Sequence, residues 1–155
     1  MQLDQTWTRG AYTISTRREH LDTRTIHAFL SQSYWAQGIP LAVVQRSLEH
    51  SLPFGVYHQQ RQVGFARVIT DYATFAYVTD VFILAEYRGR GLSRWLMQTV
   101  VAHPELQGLR RWILFTRDAH GLYTKVGFTP SQTPRRLMER LDADAYPRQA
   151  SDSSA

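Results

Sequence analysis

The sequence predicts an α/β protein of the α+β type: a mixed, mostly antiparallel sheet of six to seven strands flanked by helices. Three observations predict it. From Phe54 to Leu84, β-forming runs are separated only by short polar turns, which makes a meander of antiparallel strands. Ahead of the meander, two segments carry apolar residues at helical spacing. Behind it, Leu92, Trp95, Leu96, Thr99 and Val100 fall at i, i+3, i+4, i+7 and i+8, an apolar face that must bury against the sheet.

Taken in order, Ala11 to Arg18 alternates and carries β-formers, so it reads as the first strand. Leu21, Ile26, Phe29 and Leu30 mark a helix over Leu21 to Ala36, broken at Gln37-Gly38-Ile39-Pro40. A second helix is expected from Leu41 to Ser51, with Val44 and Leu48 inward. The meander supplies strands at Phe54–His58, Val63–Thr70 and Phe75–Leu84. The helix that opens at Gly91 stops at His103-Pro104. Trp112 to Thr116 is the next strand, a short helix covers Ala119 to Lys125, and Leu137 to Leu141 is expected as a last strand. At 155 residues the chain reads as one domain over 1–145. The polar tail 146–155 is expected to be disordered.

Composition narrows the chemistry. There are no cysteines, which removes disulfides, thiolate metal sites and a cysteine nucleophile together. The six histidines show no metal-ligand spacing, so no metal is expected. No apolar run approaches the roughly 18 residues of a membrane span, and Met1 to Ala11 lacks the apolar stretch of a signal peptide, so the expectation is a cytoplasmic protein with no membrane partner. Net charge is +5, but no long Lys/Arg run and no nucleic-acid motif is present. Arginines grouped around one glycine turn suit a compact polyphosphate better than DNA or RNA.

That turn lies in Asp80 to Met97, DVFILAEYRGRGLSRWLM: a strand, a turn holding Gly89 and Gly91, then a helix. A helix start offers unpaired N–H groups and about half a positive charge. Glycines allow positive φ and close approach to a ligand, and Arg88 and Arg90 add formal charge. Two other phosphate loops fail. No Lys follows Gly91 as a P-loop requires, and Arg94 stands where a dinucleotide fingerprint needs its third glycine. On its own, a Gly-x-Gly can equally do no more than shape a turn.

Tyr87-Arg88-Gly89-Arg90-Gly91-Leu92-Ser93 resembles motif A of the GCN5-related N-acetyltransferases, Arg/Gln-x-x-Gly-x-Gly/Ala. Gly121-Leu122-Tyr123-Thr124-Lys125-Val126-Gly127-Phe128 is similar to that family's Leu-Tyr-x-x-x-Gly-Phe signature. The two occur in the family's order, with a helix and a strand between them. The resemblance implies a sheet splayed at its fourth strand (Phe75–Leu84) with acetyl-CoA as co-substrate in the gap, and an acetyl transfer to an amine of a small molecule, amino acid or peptide. It implies that Arg88, Gly89, Arg90, Gly91, Leu92 and Ser93 hold the pyrophosphate, and that Phe82 and Ile83 pair with the pantetheine arm. Three positions depart from the pattern. Ser93 replaces a smaller residue, Ala85 stands where Pro is frequent, and Thr116 where Asn is common.

Direct transfer from a thioester needs an uncharged amine, a stabilised oxyanion and a proton for the departing thiolate. The resemblance gives the last task to Tyr123, and the oxyanion to a backbone N–H near Ile83. For the base, Asp80, His120 and a water relay all stand open. Aromatic residues Tyr34, Trp35, Phe54, Tyr57, Tyr72, Phe75 and Tyr77 are candidates for the acceptor wall, of which one or two are expected to serve. A CoA-binding regulatory module with little catalysis is the other reading. By analogy a homodimer is possible, with Pro134 to Leu141 as a contributor.

Overall fold

The computed structural model describes residues 3–153, in which six strands form one sheet in the order of the chain, β1-β2-β3-β4-β5-β6. The strands are β1 Thr6–Arg9, β2 Tyr12–Ser15, β3 Leu52–His58, β4 Arg61–Thr70, β5 Phe75–Ile83 and β6 Arg111–Ile113. The helices are α1 Thr23–Leu30, α2 Leu41–Glu49, α3 Leu92–Val101, α4 His120–Thr124 and α5 Ala145–Ser153. Every neighbouring pair is antiparallel except β5 and β6, which run parallel. The mixed, mainly antiparallel sheet read from the sequence is therefore present, with one strand more at its start. Gly10, at φ +59, turns β1 into β2.

The sheet separates two apolar clusters. On one face Leu92, Leu96, Met97 and Val100 of α3 pack on Ile14, Phe54, Val56, Val68 and Val78. On the other, Ile26 and Leu30 of α1 with Val44 and Leu48 of α2 cover Phe65 and Phe82. β5 feeds both clusters, Ala76, Val78 and Ile83 the first and Phe82 the second, because a register shift against β4 changes which residues face each side between Val78 and Phe82.

Three expectations are corrected. The first helix ends at Leu30 rather than Ala36. Serine side chains compete for the carbonyls there: Ser33 Oγ donates to Leu30 O at 2.7 Å and accepts from Ala36 N–H at 3.1 Å, and Gly38 closes the loop at φ +75. Leu137–Leu141 forms no strand, and all five residues are exposed. The segment from 145 is a helix rather than disordered chain. Tyr146 packs on the α1–α2 cluster, and Arg148 pairs with Asp142 at 2.8 Å. Ser154 and Ala155, the last of the expected tail, lie outside the described residues.

His103 ends α3 from inside the core. It is 1% exposed, with its ring set edge-on to Trp7 and Phe54. Its Nδ1 accepts from Glu105 N–H at 3.2 Å, so Nε2 carries the proton, and that atom has no partner. Burial holds its pKa below the ordinary value near 6.5, with Glu105 acting weakly the other way. In the unfolded chain the imidazole takes up a proton on passing below about pH 6.5, while the folded chain resists until lower pH. Stability must therefore fall with pH through that window. The melting temperature of wild type is expected to drop more steeply between about pH 7 and 5.5 than that of His103→Gln, which cannot charge.

Candidate active site

Two features open the sheet beside α3. The first is a bulge. Phe65 pairs with Phe82 and Arg67 with Thr79, so one residue of β4 faces two of β5, and Asp80 takes φ +56 there. An aspartate tolerates this left-handed conformation better than most side chains, and such a bulge bends its strand. The second is a divergence. β5 pairs with β6 only at Phe75–Tyr77, and beyond Tyr77 the strands part.

The gap is a cavity of about 490 Å³, with Tyr77–Val81 on one wall and Phe115–Ala119 with Tyr123 on the other. Main-chain groups of β5 face it. Leu84 N–H donates to Val63 O at 2.8 Å, and antiparallel alternation then turns Phe82 toward β4 and Ile83 toward the gap. Of the two residues expected to meet a pantetheine arm, Ile83 has the required direction. Phe82 contributes to the ladder with β4, and its ring stacks on Phe29 at 4.0 Å. Ile83 O already accepts from Arg88 Nε at 3.0 Å.

The glycine turn follows directly. Gly89 and Gly91 stand at φ +78 and +75, and Gly91 caps α3 with no side-chain hydrogen bond. The first helical bond is Trp95 N–H to Gly91 O at 3.1 Å. Among the described residues, the amides of Gly89, Arg90, Gly91, Leu92, Ser93 and Arg94 donate to no protein acceptor. Six unpaired donors at the positive end of a helix form an anion cradle. The arginine side chains do different work. Arg88 turns back to latch Ile83 O, and Arg90 donates to Tyr12 Oη at 3.1 Å across the Tyr87 ring. Arg9 of β1 lies over the Trp95 ring, 3.4 Å from where a Cβ on Gly91 would sit. Arg9 escaped the sequence reading because β1 itself did.

Tyr123 is 9% exposed, and among the described residues its hydroxyl has no hydrogen-bond partner. Burial, then the Tyr34 and Asp118 charges, raise its pKa to about 12. The short α4 that carries it is shaped by Thr116, whose Oγ1 accepts from Ala119 N–H at 2.9 Å. Gly127, at φ +97, ends the turn that follows.

Asp80 lies in the same cavity, but both its oxygens are engaged. Oδ1 accepts from Trp35 Nε1–H at 2.9 Å, and Oδ2 from Arg67 Nε at 2.8 Å. Arg67 and Asp80 side chains are 15% and 7% exposed, so this is a nearly buried ion pair. Its visible effect is to hold the Trp35 ring at the cavity edge. His120 is exposed and lies on the other side of Tyr123, in a second groove along β6. Of the aromatic candidates, Tyr34, Trp35 and Tyr77 line the cavity and Phe54 and Tyr57 are buried core. Phe115, unremarked in the sequence, joins the wall; its place at the end of β6 gave no signal of its own.

Among the described residues no group of three or more His, Asp or Glu is placed to hold a metal ion, and no helix is long and apolar enough to cross a membrane.

A family model described as an acetyltransferase (GNAT) domain matches residues 49–130, more than half of the chain. The chain belongs to the GNAT acetyltransferase family. The match runs from the end of α2 through both glycine motifs and so includes the splay, the cradle and Tyr123. This GNAT chain is 37% identical over 144 residues to a Gibberella zeae protein assigned as an acetyltransferase, covering 78% of this chain and 80% of that one. A Xanthomonas campestris protein assigned to the GNAT acetyltransferases shares the fold with a TM-score of 0.84 and 57% identity, over 87% of this chain and 96% of the other. A Deinococcus radiodurans protein, likewise assigned as an acetyltransferase, aligns with a TM-score of 0.70 over 94% and 97% of the two chains, at 19% identity, which speaks for the fold alone. The molecule is accordingly an acyltransferase of the GNAT type.

Proposed function

We propose that this GNAT protein transfers the acetyl group of acetyl-CoA directly to the amine of a small molecule, amino acid or peptide. One observation carries the reading. A buried, unpartnered, protonated tyrosine faces a cavity whose other wall is the free edge of β5, and that edge leads to six unpaired amides at the start of α3.

Acetyl-CoA, when bound, supplies an activated thioester. The chain's own groups do the rest. The amides from Gly89 to Arg94, with the α3 dipole and the Arg9 and Arg90 charges, fit a pyrophosphate. The main chain of Ile83 and Val81 fits an amide-bearing arm laid against β5, because splayed strands leave donors and acceptors that need partners. An N–H of this edge is the donor for a developing oxyanion.

Tyr123 is the proton donor to the leaving thiolate. With a pKa of about 12 it stays protonated throughout the neutral range. Donation to a thiolate of ordinary pKa near 8.5 is uphill for such a phenol, and partial burial of the thiol beside Tyr123 would raise its pKa too and narrow that gap. Asp80, with both oxygens occupied, acts as a positioning residue for Trp35 and Arg67. The amine proton leaves to water in the cavity, and the ionised Tyr123 regains a proton from that water, which closes the cycle. Tyr34, Trp35, Tyr77 and Phe115 form the acceptor wall.

Because the chain has no cysteine, CoA thiol release can be followed with a thiol reagent at zero protein background. Acetyl-CoA with a panel of primary amines is expected to give amine-dependent thiol release. A protein stabilised by acetyl-CoA in a thermal-shift assay, yet releasing no thiol with any amine, would instead be a binding module.

A further inference from the structure

Three charged side chains line the cavity beside Tyr123, and they differ in what they already bind. Asp80 is neutralised by Arg67. Arg117 and Asp118 are consecutive in the loop between β6 and α4. Among the described residues, neither makes an ion pair or a side-chain hydrogen bond. The cavity therefore offers one free charge of each sign.

Arg117 is nonetheless fixed in place. Its guanidinium carbon lies over the Tyr34 ring, 4.0 Å from the centroid, and its main-chain N–H donates to Tyr34 Oη at 3.2 Å. A guanidinium stacked in this way keeps its N–H edge free, and that edge matches the two oxygens of a carboxylate. Because the side chain is already held, little freedom is lost when such a group arrives. Arg117 also borders a second groove at the end of α1, so it stands at the cavity's rim. Asp118 is close enough to Tyr123 for its charge to oppose ionisation of the phenol.

The rest of the lining is largely aromatic. Tyr34 and Trp35 meet edge to face at 5.1 Å, and Tyr77 and Phe115 form a second pair at 5.8 Å. Tyr34, Trp35 and Phe115 stay 50%, 39% and 57% exposed. Large rings left open around one cavity call for an apolar partner. The hydrogen bond from Trp35 Nε1 to Asp80 fixes one of them in advance.

We propose that the acceptor is a free α-amino acid with an aromatic side chain. Arg117 takes its carboxylate, the aromatic pairs take its ring, and its amine lies toward Asp118 and Tyr123. Free charges of both signs match a zwitterion better than they match a plain amine. A peptide N-terminus has an amide in place of the carboxylate and leaves the Arg117 charge unanswered. A phosphate would bring a second negative charge near Asp118. The inference rests on the acetyl-transfer reading. In that reaction the amine nitrogen bonds to the acetyl carbon as the C–S bond breaks. The sulfur takes a proton from Tyr123, and an N-acetyl amino acid and CoA leave.

Thiol release is to be compared for phenylalanine, phenylalaninamide, 2-phenylethylamine and alanine. The first three share ring and amine, and only phenylalanine and alanine carry the carboxylate. Phenylalanine should show the highest kcat/KM. Arg117→Gln alters an exposed side chain and leaves the main-chain bond to Tyr34 in place. It should lower kcat/KM for phenylalanine on the order of ten- to a hundredfold, mainly through KM, so that the advantage over 2-phenylethylamine disappears. Equal use of the amide, of 2-phenylethylamine or of alanine by wild type, or an unchanged phenylalanine value in the variant, overturns the proposal. Calorimetric titration of phenylalanine into the CoA-bound protein separates this from the broader reading. Arg117-dependent binding with no thiol release from any amine would sink acetyl transfer and leave the carboxylate site standing. Thiol release without Arg117-dependent binding of phenylalanine would sink the site alone.

Discussion

Replacing Tyr123 with phenylalanine should lower kcat on the order of a hundred- to a thousandfold while leaving acetyl-CoA affinity within about twofold. The magnitude is that of a positioned general acid. Affinity is spared because the amides of the glycine turn and the edge of β5 are untouched by the change. Folding is also expected to survive, since the hydroxyl has no hydrogen-bond partner to lose and the ring keeps its edge-on contact with Phe128 at 6.1 Å. The pH profile adds a signature. A phenol held at about 12 does not ionise in the usual assay range, so no alkaline loss of wild-type kcat below about pH 10 should trace to Tyr123. Single-turnover thiol release and calorimetric titration of acetyl-CoA measure the two halves. Equal turnover by wild type and the variant would remove Tyr123 from the chemistry.

Gly91→Val should abolish tight acetyl-CoA binding, weakening it at least on the order of thirtyfold. Valine at φ +75 is strained, by more than the roughly 1–2 kcal/mol of an unbranched residue, and the turn must relax to relieve it. Its side chain would also meet the Arg9 guanidinium, 3.4 Å from the Cβ position. Both effects displace the amides proposed to receive the pyrophosphate. Gly108→Val is the control. That glycine has a similar φ, +78, with open space around its Cβ, and it lies away from the glycine turn, between α3 and β6. It should lose stability and keep its affinity. Should both variants bind acetyl-CoA as wild type does, the turn is a mere connection.

The legible parts of the fold were those with a strong local period. The α3 face and the meander lie where the spacing of Leu92, Leu96 and Val100 and the turns at Gln59–Gln62 and Asp71–Thr74 put them. α1 was overrun by six residues because Ser31 and Ser33 carry hydroxyls that bond to nearby carbonyls, a competition that a hydrophobic pattern does not register. β1 was missed because TWTR is a four-residue edge strand with little buried surface. The expected strand over Leu137–Leu141 shows the converse. Its pattern suits a strand, and the chain leaves it without a neighbour in its own sheet.

Residue types and spacing alone determined which loop could hold a phosphate and which tyrosine followed it, because those depend on a few residues close together in the chain: glycines free to take positive φ ahead of a helix, and a phenol on the short turn after β6. Only the tertiary structure decided what Asp80 does. Its two partners, Arg67 and Trp35, come from β4 and from the loop after α1, and no local signal relates them. Burial decided the rest, since the environment that keeps Tyr123 protonated is built from chain segments that meet only once the sheet has formed.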